Sequence, residues 1–297
     1  MSTTLSTDRA EQLQAVLSTA CTQVGLSAHG ATLIKYTVNA VYRLRTPVIA
    51  RIGTGHAATP RGHRQVAAAQ WLTSRGAPTT PLLDVDQPIT VGEHIVTFWP
   101  ELTIRDTWSP QQLAAPLREL HDLTPDANVL EPWDPFTTAR QRLDEAGTFL
   151  SQDDHRWLEK RWLAVEELYR EAETSMPLGV IHGDPHTGNL LADGSGRIVL
   201  CDLDELGIGP LAWDLVPQAV GATRFARPDF YREFADAYGI DVRNDPHWPI
   251  LAALRELVMV TSVLPDLRHR PAVAAEQARR LASLRAGDTQ MRWGKYA

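Results

Sequence analysis

Between residues 180 and 191 the chain reads Val-Ile-His-Gly-Asp-Pro-His-Thr-Gly-Asn-Leu-Leu. Two of these side chains could carry chemistry. Asp184, on a loop leaving a short apolar strand, is a carboxylate able to accept a hydrogen bond, and finally the proton, from an attacking hydroxyl. Asn189, five residues on, offers an amide oxygen to a hard divalent cation. Thirteen residues further, Ile-Val-Leu-Cys-Asp-Leu-Asp sets a second carboxylate, Asp202, at the end of another apolar strand. A nucleotide-bound Mg2+ needs few protein oxygens because phosphates supply the rest. A base and two oxygen ligands at this spacing suit phosphoryl transfer. Two other readings compete for the same residues. Asp-Pro and Thr-Gly-Asn are also ordinary turn chemistry. His182-x-Asp184-x-His186 could belong to a metal-dependent phosphoesterase, but three alternating residues on one loop do not by themselves complete a ligand set.

These residues, together with Gly207-x-Gly209-Pro210 and Trp213-Asp214-Leu215, resemble the aminoglycoside phosphotransferase-like small-molecule kinases, relatives of the protein kinases. Leu117-Arg118-Glu119-Leu120-His121-Asp122-Leu123 adds a leucine–histidine helix end common in that family. The resemblance spans essentially the whole chain. It implies an α+β, two-lobed protein-kinase-like fold, with a small β-sheet lobe and a larger, mainly helical one. It makes Asp184 the catalytic base, Asn189 and Asp202 the Mg2+ ligands, and Asp214 a carboxylate bracing the catalytic loop. His182 and His186 would shape that loop. Gly183 stands where protein kinases carry Arg, so no pocket for a phosphorylated activation loop is expected.

The first lobe departs from the pattern. Thr37, Val38, Asn39 and Ala40 lie where the family's nucleotide-covering loop would be, without a GxGxxG; backbone N–H groups there could still meet phosphates, since amides make that contact. The position of the kinase strand lysine holds Arg51, whose guanidinium can fork onto phosphate oxygens. Its usual helix glutamate is Gln65, and the side-chain carbonyl of Gln65 is expected to accept from Arg51 and aim it. Phe98 and Trp99 begin the hinge against a purine. Asp204 and Glu205 could bind a cationic acceptor or simply brace their loop, and Glu256, beside Arg255, could do the same or form half of a surface pair.

The elements that must hold these groups are legible from periodicity and breakers. Residues 8–24 show helical spacing, followed by β-like runs at 33–36, 41–44 and 48–52, a helix over 62–74, and strands at 81–85 and 93–98. Long helices then dominate, at about 109–123, 136–147, 151–173, 211–221, 228–238, 247–264 and 272–286. A β-rich island at 179–181, 190–192 and 197–201 interrupts them. Expected boundaries are a nucleotide lobe over 1–98, a hinge at 99–103 and a catalytic lobe over 104–297.

Composition bounds the rest. The chain has 297 residues, is 43% hydrophobic, and contains two cysteines without a CxxC, so a disulfide scaffold and a thiolate zinc site are not expected. No apolar run approaches a membrane span and the polar N-terminus is no secretory signal, so a cytoplasmic protein is expected. Residues 1–102 carry 8 basic and 6 acidic side chains, residues 103–297 carry 21 and 30. An acidic chain is a poor general binder of nucleic acid. The expected partners are Mg2+, ATP or GTP, and a small hydroxylated, cationic acceptor such as an aminoglycoside-like antibiotic or amino sugar. The departures at Arg51 and Gln65 also allow a nucleotide-binding pseudoenzyme with a regulatory role.

Overall fold

The computed structural model describes residues 7–36, 39–54 and 58–296. Thr37 and Val38, expected over the nucleotide, lie outside the described residues. In chain order the elements are α1 (Thr7–Gln23), β1 (Thr32–Tyr36), β2 (Asn39–Arg43), β3 (Val48–Thr54), α2 (Ala58–Ser74), β4 (Ile89–Val91) and β5 (His94–Pro100). There follow α3 (Pro110–His121), α4 (Pro135–Ala146), α5 (Gln152–Glu173), β6 (Leu178–Ile181), β7 (Leu190–Ala192), β8 (Ile198–Leu200) and β9 (Gly207–Pro210). The chain ends with α6 (Val216–Arg224), α7 (Pro228–Tyr238), α8 (Trp248–Thr261) and α9 (Pro271–Arg285). The class is α+β, as the residue pattern implies.

The chain forms two compact units, and neither is continuous in sequence. The first comprises residues 1–107, 126–130 and 188–204. Its antiparallel sheet runs β1-β2-β3-β5-β4, and Leu13, Leu17, Ala50, Ile52, Val96 and Phe98 are buried together where α1 covers it. Alternating burial along β3 is what a half-covered strand requires. Helix α2 approaches β5 so closely that a Cβ on Gly62 would lie 2.6 Å from Ile95. The strand expected at 81–85 is instead irregular. Leu83 donates to the Phe98 carbonyl at 3.0 Å, and the Gln87 side chain takes the Phe98 N–H at 2.7 Å, so β5 is satisfied at Phe98, beyond its ladder with β4, by single contacts. The hairpin β7–β8 belongs here as well: Thr103 bridges Ala192, and Leu200 pairs with Pro78 and Thr80.

The second unit comprises residues 108–125, 131–187 and 205–297. Its helices begin where caps allow. Ser109 and Gln112 form a reciprocal capping box on α3, and Asp134 and Ser151 cap α4 and α5. The expected helix at 211–221 splits into a 3-10 turn over Leu211–Leu215 and α6, with Pro217 in its first turn. Leu113, Leu117, Phe136, Trp162, Tyr169, Leu251 and Leu254 are buried in this unit. The short antiparallel pair β6–β9 belongs to this unit. No described helix is long and apolar enough to cross a membrane.

Candidate active site

In the second unit the strand β6 delivers His182-Gly183-Asp184. The fully buried Asp214 takes the His182 N–H at 2.7 Å and the Gly183 N–H at 2.8 Å. His121 Nε2 lies 2.9 Å from the same carboxylate. A carboxylate only accepts, so Nε2 carries the proton and, in the neutral ring, the Tyr238 hydroxyl donates to Nδ1 across 2.6 Å. Trp213 donates to the Gly183 carbonyl at 2.7 Å and Gln218 to that of Pro185 at 2.9 Å. Gly183 has φ +87°, and a Cβ there would lie 2.3 Å from the Glu205 carbonyl oxygen. Only glycine fits. The buried His182 ring accepts from the Asp184 N–H through Nδ1 at 3.3 Å.

The loop held in this way carries Asp184. Arg255, on α8, places Nη2 2.8 Å from Asp184 Oδ1, and His186 Nε2 lies 3.7 Å from Oδ2. Burial pushes the Asp184 carboxyl up, but Arg255, then His186 and His182, more than offset it and hold it below the usual carboxylate range. Among the described residues no group of three His, Cys, Asp or Glu side chains is arranged to hold a metal ion, and the His182, Asp184 and His186 triplet is no exception.

In the first unit the hairpin β7–β8 sets Asn189 beside the start of the Asp202 segment, the Cys201 N–H donating to the Asn189 carbonyl at 2.9 Å. Asp202 has φ +64°, a left-handed conformation that Asp tolerates better than most residues. An amide and a carboxylate at the paired ends of one hairpin form an oxygen donor set that fits a hard cation sharing its shell with phosphate. Arg51 reaches Asp202 Oδ1 at 3.2 Å and Asp204 Oδ2 more closely still. Gln65 Nε2 donates to Asp204 Oδ1 at 2.9 Å. The Asn39 amide borders both: turned with its oxygen to Arg51 it accepts from Nε at 3.2 Å and Nη2 at 2.6 Å. Burial pushes the Arg51 guanidinium down, while Asp204 and Asp202 raise it further and leave it more basic than usual. Cys201 is pushed up to about 12, mainly by burial, and stays a thiol at neutral pH.

A sequence model of the phosphotransferase enzyme family, APH, matches residues 36–257, well over half of the chain. The chain belongs to this family. Solved structures give the APH chain the fold of kinase-like small-molecule phosphotransferases. An amicoumacin kinase in complex with AMP-PNP, Ca2+ and Ami is 14% identical, with a TM-score of 0.73 over 97% of this chain and 98% of that one. Aminoglycoside phosphotransferase APH(3'')-Id from Streptomyces rimosus, with ADP and streptomycin, is 19% identical, with a TM-score of 0.64 over 83% and 98%. Choline kinase LicA from Streptococcus pneumoniae is 12% identical, with a TM-score of 0.61 over 93% and 100%. No curated protein matches in sequence.

The APH chain thus gathers Asp184, His182, His186 and Asp214 within one unit, and Asn39, Arg51, Gln65, Asn189, Asp202 and Asp204 within the other. Gln65 does not bond Arg51 as expected; the two share Asp204, because a full carboxylate outcompetes an amide carbonyl for a guanidinium. Ala40 is buried between Tyr36 and Ile52 in the sheet. Phe98 and Trp99 close β5, with the backbone of Phe98 already taken by Leu83 and Gln87. Glu205 lies 3.9 Å from Arg142. Glu256 is 2.6 Å from the buried Arg224, whose guanidinium also donates to the carbonyls of Asp288 and Met291. No motif singles out Arg255. The available signal was an Arg-Glu pair interrupting the apolar run Ile250–Val260, since a charge on a largely buried helix needs a partner.

Proposed function

We propose that this chain is a Mg2+-dependent small-molecule kinase that moves the γ-phosphoryl group of ATP or GTP onto an alcohol of a small cationic acceptor. Membership of the phosphotransferase family supports the reaction class. The observation that carries the reading is Asp184 on a loop clamped by Asp214 and held ionised by Arg255. Asp184 accepts the acceptor's hydroxyl proton; the freed oxygen bonds to the γ-phosphorus, and the nucleoside diphosphate leaves with the electrons of the broken bond. Asn189 and Asp202 are the residues to hold Mg2+, which would neutralise charge on the phosphates as it develops. Arg51 meets the nucleotide phosphates, and Asn39 and Ala40 border them. Phe98 and Trp99, near the end of β5, are the hinge residues toward the purine. His182, His186 and Asp214 orient the base and do not react.

The acceptor class is an aminoglycoside-like antibiotic or an amino sugar, handled in the cytoplasm. Complexes of similar proteins with streptomycin and with Ami, and the excess of acidic residues after position 102, support it. The test is a screen of aminoglycosides, amino sugars, choline and homoserine for Mg2+- and acceptor-dependent nucleotide consumption, with Asp184→Ala as control. Turnover lost in that variant supports the reading. Turnover retained removes the base mechanism, and nucleotide binding without turnover on any acceptor favours a regulatory pseudoenzyme, which the capture of Arg51 by two carboxylates would suit.

A further inference from the structure

The half-buried Arg51 needs a counter-ion, and Gln65 cannot supply one. Resting on the kinase reading above, we propose that Asp204 is the positioning residue for Arg51, so that the acid paired with the strand cation sits on the loop after Asp202 and not on α2. Three observations within the first unit carry this. The Arg51 side chain is 16% exposed and its Nη2 touches Asp204 Oδ2 more closely than Asp202 Oδ1. The other Asp204 oxygen receives Gln65 Nε2 at 2.9 Å, from a residue only 8% exposed. The Asn39 amide completes the ring, donating to Asp204 at 3.3 Å in one orientation and accepting from Arg51 in the other.

The identity of residue 65 follows. A glutamate there would set a second carboxylate against Asp204 in a nearly buried place, where like charges repel strongly. Glutamine instead donates to Asp204 and fixes its plane, leaving Oδ2 for the guanidinium. Gln65 and Asp204 are thus a matched exchange: the helix gives up its charge and the loop acquires one. The same short segment carries Asp202, the proposed metal ligand, so Arg51 is aimed only when residues 202–204 are in place.

The exchange predicts a reversal that a merely structural role would not produce. Asp204→Asn should weaken Mg-nucleotide binding, measured by calorimetry without acceptor, by about 10–100-fold, the range for losing a charge-assisted contact. Gln65→Glu alone should also weaken it. The double variant Asp204→Asn with Gln65→Glu, which returns the acid to the helix, should recover at least about tenfold over Asp204→Asn, with KM for nucleotide recovering more than kcat. Thermal melting of all four proteins accompanies the titrations, and if Asp204→Asn fails to fold, Gln65→Glu and the double variant carry the comparison. Nucleotide binding by Asp204→Asn equal to wild type, or harmless Gln65→Glu, overturns this assignment alone. A wild-type chain that binds no nucleotide overturns the kinase reading and this assignment with it.

Discussion

Replacing Arg255 by glutamine removes a full positive charge 2.8 Å from the Asp184 carboxylate while leaving an amide that can still donate. A hydrogen bond to a charged group is worth about 1.5–3 kcal/mol. The Arg255 side chain is 12% exposed but that of Asp184 is 39% exposed, so water screens the pair and the lower end applies. About 1.4 kcal/mol is tenfold in rate. Arg255→Gln should therefore lower kcat about tenfold, with little change in nucleotide KM. The pH profile gives an independent reading. Burial raises the Asp184 carboxyl, yet Arg255, His186 and His182 bring it below the usual aspartate range. The ionised, base-competent form therefore persists to unusually low pH, and the acid limb of kcat/KM lies below the ordinary aspartate value. Loss of Arg255 moves that limb to higher pH. The Asp184 contribution to stability is complete above the unfolded-state value and is lost as pH falls through the folded one, so acid unfolding shifts upward too. Arg255→Lys keeps the charge without the fork, and should hold the limb in place while recovering only part of kcat. The assay is steady-state kinetics against pH on the acceptor found by screening. A limb and a kcat both unchanged in Arg255→Gln, or a limb moving downward, would refute the assignment of Arg255 to the base.

Asp184→Ala should reduce kcat by at least about 100-fold with nucleotide affinity and melting temperature near wild type, read by kinetics, calorimetry and melting. Asn189→Ala and Asp202→Ala should each weaken Mg-nucleotide binding, Asp202→Ala more because it removes a full charge from the divalent ion; equal binding by both variants and wild type would contradict their role. Asp214→Asn turns an amide N–H2 toward at least one of the buried donors His182 N–H, Gly183 N–H and His121, and should cost about 1–3 kcal/mol of stability in denaturant titration. If the acidic residues steer a cationic acceptor, its KM should rise between low and physiological salt, since screening acts beyond about 8–10 Å, while a flat response would mark them as solvated surface.

What the sequence could disclose follows from the range over which each constraint acts. Asp184, Asn189 and Asp202 flank short strands, so local spacing alone marks them as candidates. Asp214 follows in the same way, since the turn over Leu211–Leu215 sets it beneath the loop it clamps. Capping pairs such as Ser109 and Gln112 fix helix starts within four residues of chain. The segment 81–85 misleads because its apolar pattern is that of a strand, although its hydrogen bonds are met by single contacts to Phe98. Partnerships between distant segments leave no local trace. Arg51 and Asp204 are 153 residues apart, and neither residue type shows by itself which carboxylate the arginine will take. Yet the substitution of Gln65 for an expected acid was visible, and an arginine retained on a buried strand obliges a counter-ion somewhere. A missing charge at one position is therefore evidence for a displaced charge at another. Two carboxylates of the described residues meet Arg51: Asp202, proposed above as a metal ligand, at 3.2 Å, and Asp204, two residues on, more closely, and the closer contact is why the displaced charge is assigned to Asp204.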